Sequence, residues 1–120
     1  MTTKMQAFGH WGEETAAAYL QAGGYTILER NFHAAHGEID IIAAKAGLLV
    51  FVEVKTRRSH TFAYPEDSVT TAKQTRLLSA ASDYLQAHPE SSESWQFDVI
   101  AIERRPGARP EIVHFENVIS

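Results

Sequence analysis

Apolar and polar positions recur along this chain with two different periods, and the switches between them mark out its elements. From about Gln6 to Gln21 the spacing is helical: Phe8, Gly12, Ala16, Tyr19 and Leu20 share a stripe, and Ala16-Ala17-Ala18 adds helix propensity. Gly23-Gly24 stops this helix. Tyr25 to Phe32 alternates as a first strand, and His33 to His36 is a loop. Two apolar runs follow, Gly37 to Ile42 and Leu48 to Arg57, separated by the tight break Ala44-Lys45-Ala46-Gly47. They read as a hairpin. From about Thr70 to Ala87 the helical period returns, with Leu77, Ala80, Ala81, Tyr84 and Leu85 as its stripe, Thr70 or Thr71 as N-cap and His88-Pro89 as the stop. Trp95 to Ile102 and Glu111 to Glu116 read as two last strands, joined by a loop carrying Pro106-Gly107. The resulting order, α-β-β-β-α-β-β, predicts an α/β fold: a mixed β-sheet flanked by helices.

The hairpin carries ionisable residues where its surroundings are apolar: Asp40, Glu53 and Lys55, among Ile41, Ile42, Phe51, Val52 and Val54. Charged groups enter such strands when they are paired or hold a metal. A two-residue turn at Lys45-Ala46, or a four-residue loop from Ala44 to Gly47, sets Asp40 opposite Phe51 and Glu38 opposite Glu53. Because side chains alternate faces, Asp40, Glu53 and Lys55 then project from one side. Ile39, Ile41, Ala43, Leu48, Val50, Val52 and Val54 project from the other. Asp40 and Glu53 become diagonal neighbours, roughly 7–8 Å apart at the backbone. Two carboxylate arms can share one hard cation across that gap, at about 2.1 Å per bond. A loop of odd length would reverse the parity and scatter the cluster.

Composition changes this picture little. A chain of 120 residues with 44% apolar content suits a single domain with one core. Zero cysteines exclude disulfides and thiolate metal sites. The start lacks the apolar core of a signal peptide, and no run approaches membrane-spanning length, so a cytoplasmic protein without a membrane partner is expected. The net charge of −4 argues against a protein that coats nucleic acid indiscriminately. Cations nonetheless concentrate locally, at Lys55, Arg57, Arg58, Lys73 and Arg76, and again at Arg104, Arg105 and Arg109.

Two carboxylates and a lysine on one face suit metal-assisted phosphodiester hydrolysis. Mg²⁺ or Mn²⁺ would sit on Asp40 and Glu53, and Lys55 would hold or help deprotonate the attacking water. Charge alone is equally consistent with a structural ion-pair network; the apolar setting favours the site, since a salt bridge there would cost stability. Glu13 lies at the border of the first helix's stripe, within reach of the sheet, while Glu14 points toward water. Lys73 sits one turn before Leu77 on the same face and points either inward or to solvent. His33 and His36 lack further ligands. Asp98, inside an apolar strand, reads as a satisfied structural carboxylate or an edge residue, or else as a supporting partner of the cluster. The polar loop from Arg57 to Pro65, with Phe62 and Tyr64, is a candidate substrate-contact segment.

Asp40 followed by Glu53-Val54-Lys55 on the next strand resembles the PD-(D/E)XK nuclease signature. Nearly the whole chain resembles the YraN family, a bacterial group related to archaeal Holliday-junction resolvases. The resemblance rests on Gly9 and Gly12-Glu13, Asn31, Gly37-Glu38-Ile39-Asp40, Phe51 to Arg57, Lys73 and Phe97-Asp98-Val99. It implies a restriction-endonuclease-like core, with Asp40 and Glu53 as metal ligands, Lys55 as catalytic lysine and Glu13 as accessory acid. The expected activity is that of a Mg²⁺- or Mn²⁺-dependent endonuclease on structured or branched nucleic acid, DNA rather than RNA. Arg57, Arg58 and Lys73 would contact the nucleic acid, and a homodimer would supply two sites. The alternatives are a non-catalytic nucleic-acid-binding or complex-assembly module on the same fold, and a protein–protein adaptor.

Overall fold

A computed structural model describes residues 2–58, 70–91 and 94–119. The chain runs α1 (Lys4–Ala22), β1 (Thr26–His33), β2 (Glu38–Lys45), β3 (Leu48–Arg57), α2 (Thr71–Ala87), β4 (Ser94–Glu103) and β5 (Glu111–Phe115). This is the predicted order. Phe62 and Tyr64 lie outside the described residues.

Helix α1 starts two residues earlier than its apolar period suggested, because of a capping box. The Thr3 hydroxyl accepts the Gln6 N–H at 3.0 Å, and the Gln6 side chain accepts the Thr3 N–H at 2.9 Å. Thr70 caps α2 by accepting the Lys73 N–H at 3.2 Å.

The five strands form one sheet in the order β1-β2-β3-β4-β5. The β3/β4 pair is parallel and the others are antiparallel. A parallel neighbour needs a crossover, and α2 supplies it. The two helices cover opposite faces. Ala16, Ala17 and Leu20 of α1 pack on Ile41, Ala43, Val50, Val52, Ile100 and Ile102. Leu77, Ala80, Ala81 and Tyr84 of α2 pack on Ile42, Leu49, Phe51, Phe97 and Val99. The central strands are therefore apolar on both faces, as a doubly covered sheet requires. Tyr19, assigned to the α1 stripe from its spacing, is 36% exposed, and Ala17 is buried in its place.

The hairpin register differs from expectation. Lys45 pairs with Leu48 and Ile41 with Val52, so the turn is Ala46-Gly47 rather than Lys45-Ala46. Both turn residues have positive φ, 49° and 81°, which is the geometry that matches strand twist in a two-residue hairpin. Glycine at the second position takes that conformation without strain, and this outweighs the turn centred one residue earlier. Asp40 is consequently not opposite Phe51, nor Glu38 opposite Glu53. Glu38 pairs with His33 of β1. The slip is two residues, an even number, so the parity survives and Asp40, Glu53 and Lys55 keep a common side.

Ile39 departs from the alternation. It packs in the α2 layer, whereas Ile41 and Ala43 pack in the α1 layer. On the neighbouring strand Asn31, between the paired residues Arg30 and Phe32 of β1, has a φ of 52°, and the β1/β2 register shifts between Ile27 and Glu29. A left-handed residue inside a strand breaks the regular pleat.

Candidate active site

The β2/β3 ladder ends at Ile41 and Val52. Continued one step, this register sets Asp40 against Glu53 rather than against Phe51. Beyond the ladder the Asp40 carboxylate takes over as acceptor: its Oδ2 receives the Val54 backbone N–H at 2.8 Å. An acid at the point where two strands diverge is thus held by the backbone it would otherwise leave unpaired.

Four elements converge here. Asp40 comes from the start of β2, Glu53 and Lys55 from the second half of β3, and Lys73 from the first turn of α2. Glu13 comes from α1, near enough for its charge to act on Asp40. Two glycines permit the approach. A Cβ on Gly12 would lie 2.2 Å from Thr56 Oγ1, and a Cβ on Gly37 would lie 2.7 Å from the Arg76 carbonyl oxygen. The first lets α1 rest on β3 beside Lys55. The second lets the β1–β2 connection touch α2. The site opens into a pocket of about 190 Å³, lined by Gly37, Glu38, Asp40, Glu53, Lys73, Arg76 and Leu77.

Glu53 is the hub. Its Oε1 is bound by the Lys73 ammonium and lies 3.4 Å from Lys55 Nζ. Lys73 therefore points inward, one of the two orientations left open by its spacing. Glu53 Oε2 is buried without a hydrogen-bond partner. Such an atom is uncommon in a folded protein, where buried polar groups are normally paired.

The electrostatics follow from this crowding. Burial raises the Asp40 pKa from 3.8 to about 6, helped by the charges of Glu13, Glu53 and Glu38 and opposed by the Val54 N–H. Burial, together with the neighbouring Lys73, lowers the pKa of Lys55. Burial also works against the charge of Lys73, but its ion pair with Glu53 prevails and its pKa is raised. Two amines thus compete for one carboxylate, and Lys55 is the one left readier to give up its proton.

Arg57 and Arg58, the other expected nucleic-acid contacts, are exposed at the end of β3 and do not line the pocket. Arg76 does line it, though its spacing was not singled out. The signal was available, since Lys73 and Arg76 are three residues apart and share a helix face. Glu14, expected to face water, is exposed and receives Arg30 Nη1 at 2.8 Å. His33 is exposed and lies 3.5 Å from Glu38.

A second polar group lies on the α1 side of the sheet. Asp98 is 1% exposed. Its carboxylate accepts from Gln96 Nε2 at 2.9 Å, the Asn117 N–H at 3.0 Å and His114 Nε2 at 2.7 Å. It is a satisfied structural carboxylate on an inner strand, not an edge residue. Asp98, His114 and Glu116 also offer ligand atoms within 4.8 Å of one another, a set that could hold a metal ion. This group was missed; the period-two spacing of His114, on a strand antiparallel to that of Asp98, and Glu116, just past its end, was its signal.

The model of the uncharacterised protein family UPF0102 matches residues 12–102, which run from within α1 into β4 and include every residue of the pocket. The chain belongs to this family. A UPF0102 protein of Syntrophotalea carbinolica is 44% identical over 115 residues, covering 96% of this chain and 93% of the relative. One of Syntrophomonas wolfei is 51% identical over 94 residues, covering 78% and 82%. One of Rhodococcus opacus is 44% identical over 111 residues, covering 90% and 92%. The YraN-like resemblance thus holds at family level, and the UPF0102 family supplies the sequence context for this fold. Among the described residues of this UPF0102 protein, no helix is long and apolar enough to cross a membrane.

Proposed function

We propose that this UPF0102 protein is a metal-dependent endonuclease that hydrolyses phosphodiester bonds in structured or branched DNA. The observation that carries the reading is Glu53 Oε2, buried and unpartnered, in an open pocket lined also by Asp40, Lys73 and Arg76, with Lys55 Nζ 3.4 Å from the other oxygen of Glu53. Hard carboxylate oxygens fit Mg²⁺ or Mn²⁺, and Asp40 and Glu53 are the residues that would hold one. A bound ion would neutralise charge on the phosphate and acidify water. The protein's own part is positional and electrostatic. Lys55, with its lowered pKa, holds the attacking water and can accept a proton at Nζ. Lys73 and Arg76 set positive charge where the phosphate enters. Glu13 faces Asp40 from α1 and adds negative charge that favours a cation.

The test is cleavage of labelled junction, flap and single-stranded substrates with Mg²⁺ or Mn²⁺. Cleavage by the wild type, and a loss of about 100-fold in Asp40→Ala and Lys55→Ala, is the expected result. Absent cleavage, or cleavage by either variant at the wild-type rate, would refute the assignment.

One observation favours a second reading, a nucleic-acid-binding or assembly module without catalysis. Lys73 already neutralises Glu53 with no ion needed. The two readings separate at Lys73. If a divalent ion belongs on Glu53, Lys73 competes with it, and Lys73→Met should tighten Mn²⁺ binding by roughly tenfold in calorimetry. In a purely binding module, the wild type and Lys73→Met would both bind Mn²⁺ negligibly.

A further inference from the structure

The carboxyl ends of β3 and β4 lie side by side, and the Arg104 N–H donates to the Arg57 carbonyl at 2.8 Å. Two arginines leave the sheet from this edge, Arg58 after β3 and Arg104 after β4. Both turn onto the N-terminal half of α1. There Phe8 and Trp11, three residues apart and so on one helix face, stack nearly parallel, with ring centroids 5.8 Å apart and planes at 10°. The Arg58 guanidinium lies 4.3 Å from the Phe8 ring centre, and that of Arg104 lies 5.5 Å from the Trp11 ring centre. Lys4, Ala7, Phe8, Arg58 and Arg104 line a hollow of about 320 Å³.

From this arrangement we propose that the Phe8–Trp11 pair is a stacking platform for an unpaired nucleotide, and that the protein's substrate contains a single-stranded segment next to the cleavage pocket. The proposal rests on the reading of the protein as one that acts on nucleic acid, and it adds which form it takes.

Three features favour this occupant. First, the chemistry is complete: flat rings receive a base face, and guanidinium and ammonium groups receive its phosphates. A base entering between ring and guanidinium would be stacked on both sides. Second, the charge is available. The chain has 15 acidic against 11 basic residues, yet among the described residues neither Arg58 nor Arg104 is paired with a carboxylate. Significant cation–π pairs occur roughly once per 70–80 residues, and here two share one patch. Both arginines are exposed, and so open to an incoming phosphate. Third, the position suits the site. Arg58 is three residues beyond Lys55, about 10 Å along an extended strand. Gly12, one turn after Phe8 on α1, is the residue against which Thr56 packs. A strand leaving the platform on the α1 side would pass round the carboxyl end of β3 to enter the pocket on the α2 side, as one leaving a duplex at a branch would.

The experiment measures binding, not cleavage, in EDTA. Fluorescence anisotropy of a labelled 15-nucleotide oligo(dT) is compared with that of a blunt 15-base-pair duplex. The single strand should bind about tenfold more tightly. Phe8→Leu and Trp11→Leu should each weaken its binding by about 10-fold with little effect on the duplex. Arg58→Gln and Arg104→Gln, which leave the rings in place, should each flatten the salt dependence. In a Trp95→Phe background, oligo(dT) should quench the Trp11 emission. Equal binding of both forms, or single-strand binding unchanged in the ring variants with melting temperatures intact, would overturn the proposal. An acidic-peptide partner would show as preferential binding of poly-glutamate over oligo(dT), which also overturns it. Platform-dependent binding with no cleavage under Mg²⁺ or Mn²⁺ would refute the nuclease assignment and leave this inference standing.

Discussion

Asp40→Asn should make the metal-free protein more stable, by up to about 3 kcal/mol at pH 7.5. The carboxyl has a pKa of about 6 in the fold against 3.8 when exposed, and each unit is worth about 1.36 kcal/mol. The sign follows from proton binding. Below about pH 4 the group is protonated in both folded and unfolded chains, and it carries no penalty. Between about pH 4 and 6 the unfolded chain loses its proton first, so the native state binds more protons and stability falls as pH rises. Above pH 6 the penalty is complete. Asparagine escapes it, and its amide oxygen can still accept the Val54 N–H. Urea unfolding in EDTA should therefore show wild type and variant converging near pH 4 and separating by pH 7. A gap that is constant across this range would sink the idea that burial of the charge is responsible. Adding Mn²⁺ at pH 7.5 should reverse the order, stabilising the wild type alone, because a bound ion requires the ionised carboxylate.

Gly12→Ala and Gly9→Ala should move stability in opposite directions although they are neighbouring glycines of one helix. Replacing an interior helical glycine by alanine gains about 1 kcal/mol from propensity. At Gly9 nothing lies within 4 Å of the new Cβ, so that gain should appear in full. At Gly12 the Cβ would meet Thr56 Oγ1 at 2.2 Å and Thr56 Cγ2 at 3.0 Å, so rotating the threonine does not relieve the clash. Overpacking of this kind costs up to about 3 kcal/mol, which outweighs propensity and leaves a net loss of about 2 kcal/mol. Thr56→Ala should restore much of it, since only the Thr56 Cβ, at 3.2 Å, then remains. Two glycine variants that shift the melting temperature alike would remove the basis for this contact. The contact bears on function because it sets α1, and with it Glu13 and the Phe8–Trp11 pair, against β3.

Periodicity determined the elements of this protein. The stripe Leu77, Ala80, Ala81 and Tyr84 gave α2 its buried face, and the runs flanking Gly47 gave a hairpin. The even register that keeps Asp40, Glu53 and Lys55 together was also legible, because side-chain direction has a period of two and survives a slip of two residues. The turn position was not, because it depended on which residues accept positive φ, and both Ala46 and Gly47 do. Only the tertiary structure decided where the helices meet the sheet. Lys73 was ambiguous on its own helix until Glu53 claimed its ammonium, and Ile39 packs in the α2 layer against the alternation of its own strand. Likewise, Phe8 read as part of an apolar stripe and Trp11 carried no reading of its own, until Arg58 and Arg104, distant in the chain, came to lie over them. Local pattern fixes which way a side chain points from its own element; which group it meets there depends on residues that the chain brings back from far away.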